Sequence, residues 1–121
     1  MRGSRGDDER LLDILEALEA IKRYPIATFQ EFMADELVRF FAAKHIEIIG
    51  EAVCKMSAGL KVECPEVPWH SIEKTRHILV HDYFEIDWMT IWKILETRIE
   101  PLHSQIEAIV CERGLHDSDE I

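Results

Sequence analysis

Apolar residues in this chain return every three or four positions almost from end to end, a period that points to helices. Leu11, Ile14, Leu15, Leu18 and Ile21 carry it first, with charged residues between them, and predict an amphipathic helix over about 8–23. Tyr24-Pro25 stops that helix, because a residue ahead of proline is pushed out of the helical region. Thr28, with Glu31 three residues on, makes a capping box and opens a short helix to about Ala34. Asp35 can cap a longer helix over roughly 35–57. Its stripe of Val38, Phe41, Ala42, Ile46, Ile49, Val53 and Met56 is widened by Leu37, Phe40 and Ile48. A stripe so wide predicts burial on two sides, as in a bundle's central helix or one that also meets a second subunit.

Gly59 and Pro65-Glu66-Val67-Pro68 break the pattern and predict a loop over about 58–68. Pro68 suits a first helical turn, so a helix is expected from about Trp69 to His81, carrying Ile72, Ile78, Leu79 and Val80. Asp82 to Ile86 then turns the chain. Asp87 caps a last helix with the stripe Trp88, Ile91, Trp92, Leu95, Ile99, Leu102, Ile106, Ile109 and Val110. Pro101 falls inside this stripe and is expected to kink the helix, since the spacing resumes beyond it. Gly114 closes it. The fold class is therefore all-α, an antiparallel up-and-down bundle of four main helices plus one short helix. Residues 1–7 read as a flexible N-terminal leader, 8–113 as the bundle and 114–121 as an acidic tail.

Composition narrows the function. A length of 121 residues allows one domain. Against 14 Lys and Arg stand 24 Asp and Glu, a net charge of −10. Such a chain is no general nucleic-acid coat, because nonspecific binding rests on neutralising phosphates. Any nucleic acid it handles must meet a local site or a more basic partner. Five Gly and four Pro are too few for the frequent turns of an all-β sandwich. No run of 18 apolar residues spans a membrane, and Asp7, Asp8 and Glu9 stand where the apolar part of a secretory signal would begin. The expected location is cytoplasmic. Three cysteines, Cys54, Cys64 and Cys111, form no CxxC and read as reduced thiols packed as small apolar groups.

Chemistry concentrates in one segment. His70, Arg76, His77, His81 and Tyr83 lie within fourteen residues, and the chain holds no Gly-rich phosphate loop, no GxSxG and no HExxH. The carboxylates sit at helix-surface spacings. Glu47 and Glu51, four apart, read as surface or dimer-contact residues that could also face a cleft. Arginine is always charged and grips phosphate oxygens with a planar fork. Histidine exchanges a proton near neutrality. Those are the two roles that RNA cleavage by 2′-hydroxyl attack requires: a base for the 2′-proton and a cation for charge building on the phosphate. Five residues on a regular helix turn through about 140° net, so Arg76 and His81 do not share a face and His81 must sit where the helix ends or loosens. Spacing alone equally fits a surface arginine and a helix-end histidine favoured by the C-terminal dipole. His77 and His81, with His70 two turns earlier, have zinc-ligand spacing, but no Cys or acid nearby completes a set of four, and no metal is expected. Trp69 and Trp92 read as core rather than as base-stacking platforms.

The string Arg76-His77-Ile78-Leu79-Val80-His81-Asp82-Tyr83-Phe84 resembles the Arg-x4-His-x-Tyr motif of HEPN-domain ribonuclease toxins, specifically the HepT family. Leu11 to Ala17, Glu47 to Ala52 and Pro65 to Trp69 resemble the same family in the same order, so the likeness covers about residues 8–112. It implies a HEPN bundle working as a homodimer, with the motifs of two subunits facing each other across a cleft. Arg76 and His81 would be catalytic on RNA, tRNA or mRNA, without metal or other cofactor. His77 and Asp82 would support the cleft; at position 77 close relatives often carry Asn, and the wider superfamily accepts Asn, Asp or His. Tyr83 would be the residue to which the antitoxin, a minimal nucleotidyltransferase called MntA, transfers AMP from ATP. A bulky anion there would block RNA and pair with Arg76. A chain of charge −10 would attract a basic antitoxin surface. Two other readings stay open. One is a noncatalytic HEPN companion that binds a nucleotidyltransferase or nucleotide; the other is a plain helical dimerisation module.

Overall fold

The computed structural model describes residues 2–81 and 85–115, whose regular structure is helical, without strands. Seven helices follow one another: α1 Arg2–Lys22, α2 Phe29–Ala34, α3 Glu36–Lys55, α4 Ala58–Glu63, α5 Trp69–His81, α6 Trp88–Thr97 and α7 Ile99–Glu112. Local chemistry sets most boundaries. The Thr28 hydroxyl accepts from the Glu31 N–H at 3.1 Å, while the Glu31 carboxylate reaches back to the Ala27 N–H at 3.2 Å. Asp35 accepts from the Val38 N–H and Asp87 from the Met89 N–H, each at 3.1 Å. Each carboxylate satisfies a donor that the first turn of a helix leaves orphaned. Gly114, at φ +70°, ends α7 with the paired bonds Gly114 N–H to Cys111 C=O and Leu115 N–H to Val110 C=O. That double closure needs a left-handed residue, which glycine supplies without steric cost.

Three features depart from the sequence reading. Helix α1 begins at Arg2 instead of near residue 8. Asp7 is buried within it and accepts from both the Ser57 N–H, 2.9 Å, and the Ser57 hydroxyl, 2.6 Å. Next, the expected loop over 58–68 contains α4, whose N-cap is that same Ser57, accepting from the Leu60 N–H at 3.2 Å. Finally, the last helix divides at Arg98. Pro101 has no N–H to offer the Thr97 carbonyl and its ring crowds that carbonyl, so the break falls one turn upstream of the proline. The ladder resumes on either side, from Arg98 N–H to Ile94 C=O and from Leu102 N–H to Arg98 C=O.

The helices run antiparallel, as their paired ends show. Asp7 near the start of α1 meets Ser57 just past the end of α3, while Tyr24 beyond the other end of α1 stacks edge-on against Phe41. Along α1 and α7, Lys22 pairs with Glu100 and Asp8 with Arg113. On α3 and α5, Arg76 sits at Gly50 and Glu51, and Leu79 shares a cleft with Phe40, Ala43 and Glu47. Helix α3 is thus central, packed by α1 and by α5, which accounts for its wide stripe. The core holds Leu11, Ile14, Leu18, Phe32, Val53, Ile106 and Val110 fully buried. Each such side chain contributes roughly 1.5–3 kcal/mol relative to exposure. Trp69 and Trp92 join them, the Trp69 indole donating to the Cys64 carbonyl at 2.9 Å. Of the cysteines only Cys64 packs against the core. Cys54 and Cys111 are exposed free thiols, which corrects their expected apolar role, because both fall on the outer faces of their helices. Among the described residues no helix is long and apolar enough to cross a membrane.

Candidate functional site

The site grows from one close approach of two helices. Gly50 stands in the interior of α3, and a Cβ there would lie 2.2 Å from Arg76 Cβ and 2.7 Å from Arg76 Cγ. Only a residue without a side chain lets α5 come so near. The approach lays the Arg76 side chain along α3 and brings its Nη2 to 2.9 Å from Glu51 Oε1. Glu51 also pairs with Lys55 one turn on, at 3.3 Å. The Arg76 guanidinium, and after it the Lys55 ammonium, holds the Glu51 carboxyl below the ordinary carboxylate range. Arg76 is 30% exposed, enough to meet a ligand, while its Nε–H is buried and has no hydrogen-bond partner among the described residues. An orphaned donor of this kind costs about 1–3 kcal/mol until an acceptor reaches it.

Around this pair lie further charged groups. Lys44 and Glu47 of α3 border a cleft with Phe40 and Leu79. Arg10 and Asp13 of α1 border a second cleft, which Glu47, Glu51 and Lys55 share. His70 and His77 stand exposed on α5. His81 is the last described residue of α5, and the residues next along the chain lie outside the described ones. The side chain of His81, and Asp82 and Tyr83 entirely, lie outside the described residues. Leu37 at 83%, Phe40, Ile78 and Met89 are large apolar residues exposed on α3, α5 and α6. Phe40 packs edge-on against Trp88, over which Arg39 lies 5.4 Å from the ring centre. A different flank of α5, with Ser71, Ile72 and Thr75, faces an apolar groove of about 460 Å³ closed by Ile94, Ile99 and Leu102.

A partly exposed guanidinium fixed by a carboxylate at a helix-to-helix contact can bind a phosphate oxygen. The model of the family described as ribonuclease HepT-like matches residues 14–109. The chain belongs to this family. Among relatives of the HepT-like chain, the "Probable ribonuclease HepT" of Thermococcus cleftensis is 32% identical over 106 residues, covering 87% of this chain and 96% of that protein. The "Putative RNase MJ1380" of Methanocaldococcus jannaschii is 32% identical over 100 residues, 82% and 92% of the two chains. The "Putative RNase TTE0752" of Caldanaerobacter subterraneus is 30% identical over 90 residues, 74% and 80%. No solved structure gives a significant match.

For a HepT-like chain, the sequence reading singled out Arg76 without its partner. Glu51, read as a surface or dimer-contact residue that could also face a cleft, is the carboxylate that holds the guanidinium. The available signal was the glycine before it: Gly50 interrupts a run of helix-forming residues, Glu47-Ile48-Ile49 and Glu51-Ala52, where nothing local asks for one.

Proposed function

We propose that this HepT-like chain is an endoribonuclease that cuts tRNA or mRNA without a metal, the toxin of a HEPN/MNT toxin–antitoxin pair. Arg76 stabilises charge on the phosphate, and His81 exchanges the 2′-hydroxyl and leaving-group protons. The RNA carries its own nucleophile, so what the site must add is a cation and a proton carrier. The observation that carries this reading is the partly exposed Arg76 guanidinium, anchored by Glu51, on the same helix as His81.

A single Arg76–His81 set is half of the proposed cleft, and a second copy supplies the other. The family supports a homodimer, and the exposed apolar residues Leu37, Phe40, Ile78 and Met89 are surface that a second copy would cover. His77 and Asp82 support the cleft. Tyr83, two residues past His81, is the acceptor of AMP from an MntA-type nucleotidyltransferase antitoxin, which would place a bulky anion where substrate phosphate binds. The pair works in the cytoplasm.

The test is RNA cleavage in excess EDTA by wild type, Arg76→Ala and His81→Ala, with the intact mass of the wild type checked for added AMP. Cleavage that both substitutions abolish, with the helical content unchanged, is the expected result. Unmodified wild type that cuts no cellular RNA would overturn the reading in favour of a noncatalytic companion domain.

A further inference from the structure

The seam between α1 and α7 is an ion-pair ladder with one irregular rung. At one end Lys22 meets Glu100 at 3.0 Å, and at the other Arg113 meets Asp8 at 2.9 Å. Between them stand Glu19 of α1 and His103 and Glu107 of α7, two carboxylates and one imidazole. One ligating atom from each lies within 4.8 Å of the other two. His103 Nε2 is 3.6 Å from Glu19 Oε2, and that nitrogen is buried with no hydrogen-bond partner among the described residues. His103 and Glu107 are four apart, so both side chains leave α7 on one face, toward Glu19. The outer rungs each match a cation to an anion; the middle one gathers two carboxylates around one imidazole nitrogen, with only the long Glu19 contact to satisfy it.

We propose that Glu19, His103 and Glu107 form a binding site for a divalent first-row transition-metal ion, zinc foremost, that clasps α1 to α7. One imidazole and two carboxylates is a donor set suited to Zn²⁺, and a tetrahedral ion leaves a fourth position for water. Bonds of about 2.0–2.2 Å draw the three atoms to roughly 3–3.5 Å from one another, which turns of the two glutamate side chains supply. The ion holds two helices together and takes no part in RNA cleavage.

Lys22 makes the proposal sharper. Its ammonium lies 3.2 Å from His103 Nδ1 and can only donate, so in the ion-free protein Nδ1 carries the lone pair and Nε2 the hydrogen. Zinc at Nε2 requires the other tautomer. The Nε2 proton leaves to solvent, one is taken up at Nδ1, and Lys22 drops that contact while keeping Glu100. Lys22 therefore competes with the ion.

The experiment titrates zinc alone into chelator-cleared, tag-free full chain by calorimetry, with cobalt absorption reporting the ligand field and thermal unfolding reporting the clasp. Expected are one zinc per chain and a raised Tm, since an ion that binds only the folded state stabilises it. Glu107→Gln and Glu19→Gln, both near-isosteric, and His103→Asn should each weaken binding by about tenfold or more. Lys22→Met should tighten it. Zinc binding undiminished by Glu19→Gln and Glu107→Gln would place the ion elsewhere, at His70 and His77 for instance, and overturn the proposal. So would the absence of heat and Tm shift at millimolar zinc. RNA cleavage in EDTA is a separate readout, and its failure would leave the zinc result standing.

Discussion

Arg76 rests against the bare backbone of Gly50, so closely that a methyl group at position 50 would sit 2.2 Å from Arg76 Cβ. Glycine to alanine inside a helix ordinarily stabilises by about 1 kcal/mol. Here the obstructing atom is attached directly to the α5 backbone, so no rotamer change relieves it. Gly50→Ala should lower stability by about 1–3 kcal/mol, read by urea denaturation. A stabilised variant would show that α5 slides freely along α3.

Glu51→Ala should leave the fold intact and release the Arg76 guanidinium. RNA cleavage should fall between about tenfold and a hundredfold, the usual cost of a misplaced group at a reacting centre. In an Arg76→Ala background the same substitution should change little, because its partner is gone. Additive losses in this double-mutant cycle would separate Glu51 from Arg76.

Acid should undo the same pair. Glu51 has a carboxyl pKa below its ordinary value of 4.5, set first by Arg76 and then by Lys55. A carboxylate whose folded pKa is depressed stabilises the fold above its unfolded pKa, and that contribution disappears as pH falls through the folded value. The stability difference between wild type and Glu51→Gln should therefore be largest at neutral pH and close below pH 4.5. Denaturation midpoints at pH 7 and in acid measure it.

Asp7 should matter more than its place near the N-terminus suggests. Its carboxylate takes both donors of Ser57, the residue that caps α4. Asp7→Ala leaves those donors unpaired and should cost about 1–3 kcal/mol. Hydrogen exchange should show the loss concentrated in α4 and the first turns of α1.

The thiols should react in two classes. Burial pushes the Cys64 thiol up, with Glu66, Glu63 and Glu112 adding to the effect, whereas Cys54 and Cys111 are exposed. Iodoacetamide on native protein should label Cys54 and Cys111 first and Cys64 last, as peptide mass spectrometry would show. Equal rates would mean that the α4–α5 connection opens readily.

What was legible in the sequence was whatever depends on neighbours along the chain. Thr28, Asp35 and Asp87 announce their helices because a cap acts over two or three residues. Ser57 caps α4 just as locally, but Gly59 and the prolines beyond it masked so short a helix, and the Asp7 that holds Ser57 lies fifty positions away. Pro101 was read correctly as a disturbance and placed one turn late, because a proline acts on the carbonyl four residues before it. Arg76 stood out by residue type and motif. That Glu51 holds it depends on the register of α3 against α5, and no spacing within one helix encodes that register. The period of the apolar stripe says which face is buried, not which residue of the next helix lies opposite.

The order in which the helices leave the ribosome has a consequence for the α1–α7 seam. Helices α1, α3 and α5 lie within residues 2–81, and α7 is the last described helix to be made. A growing chain can set Arg76 beside Glu51 while one side of α1, with Leu11, Ile14 and Leu18, still waits for Ile106 and Val110. Contacts along that seam arrive late, so changes there should speed unfolding and leave the early assembly of α3 and α5 at its own rate. The last helix locks a part that the earlier ones have already shaped.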